Sequence, residues 1–338
     1  MKILPLFLLT IVSSGLYAQK NDSSRFYFNK GIEEKNARHF LVASQAFEKA
    51  IKFDPAYTEA YMENGYVFLE MRKTDPAIRN FTRVYELQPA NKIVVKELMD
   101  LYYNYRQYNK ATEFAYKCID CKGAQRIIGM SYYRQEDYMK AEKALLSALS
   151  KDGDDAEVTY TLARTYLDME EYKKAVPYYE KAVSMDKTKN VWMYELGLLY
   201  FNLTNYKGAV SSFNTAVERG YTVSNDLNEN LGYASLYSGE YDKGENLLLN
   251  IWSKKPGNKD ILRDMAEVLY QQKQYDRSLV YCQKLMELDP NDAKALYQGG
   301  LNFQKKGNKD RGQQMCDKAI EMDPSLASLR REKKMPGL

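Results

Sequence analysis

The sequence predicts an all-α fold, an α-solenoid of about nine tandem helix–turn–helix repeats, and three observations predict it. Small residues recur inside helix-like segments at a period close to 34, as at Gly31, Gly65, Gly197 and Gly232. Each is followed twelve residues later by Ala43, Ala77, Ala209 or Gly244. Pro55 and Pro89 lie 34 apart, as do Pro256, Pro290 and Pro324. A repeat of this length is one supersecondary unit that cannot bury its apolar face alone, so the units must stack. A stacked array offers a long surface and no deep reaction chamber, which points to binding rather than to chemistry.

Composition agrees. The 338 residues are 45% apolar and 28% charged, which suits a folded helical protein. Lys+Arg 49 against Asp+Glu 45 gives a net charge of +4, with the signs interspersed along the chain. Nucleic-acid binding demands a concentrated basic face, and the sequence shows none, so that class of partner is not expected.

The N-terminus reads as a secretory signal peptide over residues 1–18. Lys2 precedes an apolar run from Ile3 to Val12, interrupted by Pro5 and Thr10. Ser13, Ser14 and Gly15 follow, and Leu16-Tyr17-Ala18 precedes Gln19 at the expected cut. The run is too short to span a bilayer comfortably, and no cysteine sits near the cut to carry a lipid anchor. The competing readings are a buried N-terminal helix and a cytosolic protein. The expectation is export to the periplasm or cell envelope of a Gram-negative bacterium, with no membrane span in the mature chain.

After a lead-in at 19–23, the prolines set a register of units at 24–57, 58–91, 92–121, 122–155, 156–189, 190–223, 225–258, 259–292 and 293–326. The third is four residues short, and Ser224 is an extra residue between the sixth and seventh. The short unit ends at Cys118-Ile119-Asp120-Cys121-Lys122-Gly123, which makes 24–121 and 122–326 the expected sections. In the fifth unit, Ala156 to Met169 forms one helix, Glu170-Glu171-Tyr172 the turn, and Lys173 to Met185 the second helix. Pro177 is placed in the first turn of that second helix, where a missing N–H costs least. Beyond the ninth unit, Leu326 and Leu329 among Arg330, Arg331, Glu332, Lys333 and Lys334 suit a short capping helix, with Pro336-Gly337 in the tail.

These features resemble the tetratricopeptide repeat family over residues 24–326. The sixth unit carries Leu196-Gly197, Tyr200, Tyr206, Ala209, Phe213 and Ala216 at the family's spacing. The fifth carries Leu162-Ala163, Tyr166, Tyr172, Ala175, Tyr179 and Ala182; the second carries Tyr61, Gly65, Phe68, Ala77, Phe81 and Pro89. Met99 replaces the first-helix glycine, which predicts a looser third unit, and Gly244, Ser278 and Gly312 replace the second-helix alanine. The spacing has a physical reason. Gly197 and Ala209 mark a close helix crossing, Tyr200 and Phe213 fill the space beside it, and a bulkier Gly197 would overpack it. The resemblance implies a right-handed superhelix and a non-enzymatic interaction role.

Residues able to carry chemistry are few. His39 is the single histidine and is placed at a helix–turn border on the surface. Glycine-rich phosphate loops, Gly-x-Ser-x-Gly elbows and His-Glu-x-x-His helices are missing from the sequence, so no catalytic residue, metal or cofactor is expected. Cys118 and Cys121 form a Cys-x-x-Cys that reads as a structural disulfide, as free buried thiols, or as a thiol-exchange pair. Cys282 and Cys316 occupy the same slot of consecutive units, about 8–10 Å apart for packed helices, so they read as unpaired core residues.

The surplus is tyrosine, with 30 residues. Tyr108, Tyr138, Tyr172, Tyr206, Tyr241 and Tyr275 each precede a second helix at the same interval, and Tyr102, Tyr132, Tyr166 and Tyr200 belong to first-helix cores. Another set, Tyr66, Tyr103, Tyr133, Tyr160, Tyr194, Tyr233, Tyr237, Tyr270 and Tyr297, takes positions that line the concave groove in proteins resembling this one. Arg126, Arg134, Arg164 and Arg263 share that face with Asn36, Asn104 and Asn202. Tyrosine and arginine often dominate interface energy, so this set is the candidate site for a peptide or partner helix. The competing reading has the same tyrosines padding the groove or packing between units. The family's carboxylate clamp is not matched: Phe28 and Ile32 take its first-unit positions, and Asp100 stands one turn from Lys96. Alternative functions are a binder of envelope polysaccharide or peptidoglycan, and a non-catalytic subunit of an envelope enzyme or secretion complex.

Overall fold

The computed structural model describes residues 7–151 and 153–331. Every regular element among them is helical. The order is α1 (Phe7–Asn36), α2 (Phe40–Phe53), α3 (Thr58–Glu70), α4 (Thr74–Leu87), α5 (Lys92–Asn104), α6 (Tyr108–Lys117), α7 (Ala124–Arg134), α8 (Tyr138–Lys151), α9 (Ala156–Asp168), α10 (Tyr172–Met185), α11 (Asn190–Asn202), α12 (Tyr206–Glu218), α13 (Asn225–Ser238), α14 (Tyr241–Lys254), α15 (Asp260–Gln271), α16 (Tyr275–Leu288), α17 (Ala293–Lys305) and α18 (Lys309–Met322). A 3-10 turn at Pro324–Leu326 leads into α19 (Ala327–Arg331). The chain forms two compact units that divide between Glu171 and Tyr172, in the turn after α9.

The turns between first and second helices share one backbone device. Arg38, Arg72, Arg106, Glu136, Glu170, Thr204 and Lys273 all have φ between +56 and +61°, and Gly239 and Gly307 hold the same position at +93°. Each residue closes its helix with paired hydrogen bonds. At the sixth repeat, the Thr204 N–H donates to the Phe201 carbonyl at 2.9 Å and the Asn205 N–H to that of Tyr200 at 2.8 Å. This left-handed termination consumes the orphan carbonyls of the helix end and reverses the chain in three residues. It also corrects two expected boundaries. Tyr172 is the first residue of α10, not a turn residue, and Pro177 is therefore the sixth residue of that helix rather than part of its first turn. There proline removes the bond to the Lys173 carbonyl.

Where the helices of a hairpin cross, one side chain has to be absent. A Cβ on Gly31, Gly65 or Gly197 would lie 2.6 Å from the ring of Phe47, Phe81 or Phe213, sixteen residues later. Gly129 faces Leu145 and Gly232 faces Leu248 in the same way. The third repeat inverts the pattern: Met99 is fully buried, and the slot sixteen residues on holds Ala115, also fully buried. The expected loosening is thus corrected, because the methionine fills the volume that phenylalanine fills elsewhere. At Gly244 and Gly312 a Cβ would stand 2.7 and 2.5 Å from the carbonyls of Gly232 and Gly300. Ser278, in the equivalent position, donates its hydroxyl to the Ala266 carbonyl at 2.6 Å.

The third repeat is short because α6 has ten residues where the other second helices have thirteen or fourteen. The missing turn coincides with an open cleft of about 910 Å³ bordered by Ile119, Cys121, Arg126, Ala148 and Val158. At the other end, Leu326 is buried against Ala293, Tyr297, Cys316 and Ala319 and so closes the ninth repeat, while Leu329 is exposed. Of the residues expected to cap the array, Glu332, Lys333 and Lys334 lie outside the described residues, as does the tail at Pro336-Gly337. The first six residues of the expected leader also lie outside them; from Phe7 the backbone is helical and runs without a break into the first repeat. No helix of the described residues is long and apolar enough to cross a membrane.

Two predictions follow from the crossings and turns. Gly197→Ala should destabilise by about 1–3 kcal/mol through overpacking. Gly299→Ala should stay within about 1 kcal/mol of wild type, since its Cβ would meet the flexible Met315 Cε at 3.1 Å and the Cys282 Cβ at an ordinary 3.8 Å. Urea denaturation compares them, and equal losses would refute the crossing argument. In the same assay, Thr204→Gly should stabilise by about 1 kcal/mol by relieving a β-branched residue of its left-handed φ.

Candidate functional site: the tyrosine face of the first helices

Residues three before and one, four and five after each crossing position fall on one side of the first helix. In the first unit, the Tyr66 hydroxyl donates to Glu97 Oε1 at 3.2 Å, and the Tyr133 hydroxyl donates to Asp168 Oδ2 at 2.9 Å. In the second unit, the Tyr233 hydroxyl donates to Asp264 Oδ2 at 3.2 Å, and Asn230 Nδ2 donates to the Tyr194 hydroxyl at 2.9 Å. Every one of these bonds joins a first helix to the first helix of the next repeat. The tyrosine face is therefore braced across repeats, so the side chains expected to line a groove also pack between repeats.

Burial and neighbouring acids hold the phenols of Tyr66, Tyr133 and Tyr233 protonated. The Tyr66 hydroxyl is pushed up to about 12 by burial and by the Glu97 carboxylate. That of Tyr133 also reaches about 12, through burial, with Arg164 opposing and Asp168 reinforcing the shift. Tyr233 is raised by burial, then by Asp264 and Glu229. The site is thus a row of neutral hydroxyls on half-buried rings.

Ring contacts fix the rest. Tyr103, Tyr133 and Tyr270 each pack against the first residue of the following helix, Tyr108, Tyr138 and Tyr275, at centroid distances of 5.9, 6.1 and 5.7 Å. Tyr194 stacks on Tyr221 at 4.6 Å, and Tyr237 on Tyr206 at 4.5 Å. Tyr160 is half-buried on α9, and Asn36, Asn104, Arg134 and Asn202 are exposed at the ends of their helices. Tyr297 departs from the expectation: it is only 7% exposed and belongs to the core of the ninth repeat, because Leu326 of the terminal 3-10 turn packs into the same cluster with it and Cys316.

The arginines of the face are already engaged. Arg126 binds Asp155 and Glu157, both at 2.9 Å, and Arg263 binds Asp292 at 2.9 Å and Asp260 at 3.4 Å. Arg164 stands 3.8 Å from Asp168, and Arg134 lies over the Tyr133 ring. Lys96 donates to Asp100 at 3.0 Å, as its spacing suggested. The acids Glu97, Asp168 and Asp264 were missed in the sequence; their signal was the recurrence of a carboxylate at fixed offsets from the crossing residue.

Elsewhere, His39 is exposed and contacts Glu34 at 2.9 Å. Among the described residues, no group of three His, Cys, Asp or Glu side chains is placed to hold a metal. Cys282 and Cys316 are buried thiols outside any disulfide, and burial pushes the Cys282 thiol up to about 12, unsuited to nucleophilic work. Cys118 and Cys121 have Cα atoms 5.2 Å apart, and their sulfurs are within bonding distance.

Tetratricopeptide repeat family models match residues 123–188, 160–221, 235–301 and 293–326. The chain belongs to the tetratricopeptide repeat family. No curated protein sequence matches it. Among solved structures it is similar to YrrB, described as a TPR protein with an unusual peptide-binding site, at 24% identity over 58% of this chain and 100% of that one, with a TM-score of 0.40. It is also similar to the TPR domain of P58(IPK), at 15% identity over 92% and 99% with a TM-score of 0.29. A tetratricopeptide repeat protein from Parabacteroides merdae is 19% identical over 79% and 93%, with a TM-score of 0.37. Tetratricopeptide arrays serve in general as protein–protein interaction scaffolds, each repeat adding a strip to an extended surface.

The bracing can be tested without any partner. Tyr133→Phe and Tyr233→Phe should each destabilise by about 1 kcal/mol, the net worth of a hydrogen bond to a carboxylate at a half-buried site. Tyr105→Phe, at a position 47% exposed, should change nothing. Thermal denaturation of the three variants reads the difference.

Proposed function

We propose that this tetratricopeptide repeat protein is a non-enzymatic adaptor of the cell envelope that binds a peptide or partner helix on the tyrosine face of its first helices. The observation that carries the reading is the recurrence of half-buried, protonated tyrosines on one side of successive first helices, with asparagine and arginine beside them. Such rings bury large area at low entropic cost, and their hydroxyls satisfy a peptide's carbonyls. Their rigidity comes from the next repeat, so little order has to be gained on binding. Export to the periplasm rests on the leader at residues 1–18, with Lys2 and the apolar run from Ile3 to Val12.

The test is selection from a displayed random peptide library on the chain from Gln19 onward. Selected peptides should bind saturably, and Tyr194→Ala with Tyr237→Ala should weaken them about tenfold or more. Tyr116→Ala, on a second helix and 53% exposed, should leave binding intact. Circular dichroism checks that helicity is kept. Failure to select any binder, or binding to purified peptidoglycan in place of peptides, would overturn the adaptor reading. Fractionation of a tagged full chain, with the new N-terminus read at Gln19, tests the compartment.

A further inference from the structure

The charge on the tyrosine face is uneven. In the first unit four of its acids have cations of their own: Glu63 has Lys35, Asp100 has Lys96, Glu157 has Arg126 and Asp168 has Arg164, while Glu97 accepts the Tyr66 hydroxyl. In the second unit, Asp226 and Glu229 on α13 and Asp264 and Glu267 on α15 have no cation within ion-pair distance among the described residues. Asp264 accepts only the Tyr233 hydroxyl, and Glu267 only the Gln271 amide. The charges acting on Glu229 are Asp226 and Asp264, both acidic, and with burial they raise its carboxyl above the ordinary range. Tyr237 is raised likewise by burial, Tyr206, Glu267 and Asp264. Asp226, Glu229 and Asp264 thus act on one another, although Asp260 at the start of α15 has Arg263.

A separate feature stands beside them. A cavity of about 240 Å³ opens between α13, α14 and α15, with Ile251, Ile261 and the Trp252 ring for walls and Asp226 and Glu229 at its border. The Trp252 indole N–H is buried and, among the described residues, has no acceptor. Lys284 covers one face of that indole at 4.2 Å. Lys254 and Lys255 also border the cavity, Lys254 tied to Asn225 Oδ1 at 3.2 Å, and neither is among the charges acting on Glu229. Apolar walls under a carboxylate border suit a side chain with a methylene stem and a cationic head. The four acids are spread along two helices and do not converge on a metal-sized site.

We infer that the face of α13 and α15 docks an extended protein segment bearing lysine or arginine, with one basic side chain seated in the cavity beside Trp252. This inference rests on the adaptor reading and names the chemistry of its partner. Binding would relieve the repulsion among the acids as well as add contacts, so the segment's positive charge supplies specificity and association rate together.

Trp252 offers the readout. In the full chain with Trp192→Phe, a short lysine–alanine peptide should change the tryptophan emission saturably, and its glutamate–alanine analogue should not. Glu229→Gln with Asp264→Asn should weaken the lysine peptide about tenfold, and Asp226→Asn should weaken it in the same direction. Raised salt should weaken it further, while Glu287→Gln, on the second helix α16, should not. Equal binding of the two peptides, undiminished binding to the amide variants, or the same emission change from calcium alone would each overturn the inference. Should library-selected peptides bind the wild type without basic residues, the adaptor reading stands and this inference falls. Should neither they nor the lysine peptide bind, both fall.

Discussion

The whole array depends on the crossing of two helices within a hairpin, where the volume of one residue is set against that of another sixteen positions later. Phe47, Phe81 and Phe213 each occupy the space that Gly31, Gly65 and Gly197 leave. Because the closest approach is between a missing Cβ and a buried ring, the crossing tolerates exchange of the two volumes but not their sum. Met99 with Ala115 shows the exchange. Gly232 with Gly244, and Gly300 with Gly312, show the other limit, where backbone itself meets side-chain space. Once the crossings are set, the left-handed turns fix the direction of the return helix, and the positions flanking each crossing fall on one side.

On that side the packing between repeats and the proposed binding face share the same atoms. Tyr66, Tyr133 and Tyr233 hold the next repeat through its carboxylates, and the same rings belong to the face we propose for a partner. An interface built this way is ordered before it is occupied, because each phenol is oriented by a neighbour rather than by the ligand. The two units use their charges differently on this side. Ion pairs such as Arg126 with Asp155 and Glu157 engage acids of the first, whereas in the second Asp226 and Asp264 act on Glu229 as like charges.

Much of the fold was legible from residues alone, and the reasons are local. Periodicity located the helices to within a residue or two, since a small residue and its partner twelve positions on recur wherever a hairpin crosses. The misplacement of Tyr172 by one residue, and of Pro177 with it, came from a turn whose φ is positive at Glu170, which nothing in glutamate's identity announces. Met99 read as a defect because its compensation, Ala115, lies on the other helix. In the site, Lys96 opposite Asp100 was readable because both sit on one helix, four residues apart. The pairing of Tyr133 with Asp168 was not, because it joins separate repeats.

By itself the sequence determined the all-helical class, the number and length of the repeats, the tyrosine-bearing side of the first helices and the isolation of Cys282 from Cys316. These follow from spacing within a helix or from a fixed repeat, and spacing is what a sequence records. Only the tertiary structure decided which tyrosines stay half-buried and which, like Tyr297, enter a core. It also decided which acids find a cation and that Trp252 keeps a buried N–H with no acceptor among the described residues. Those outcomes depend on distances between repeats, where a shift of one side chain changes the partner while the residue order stays the same.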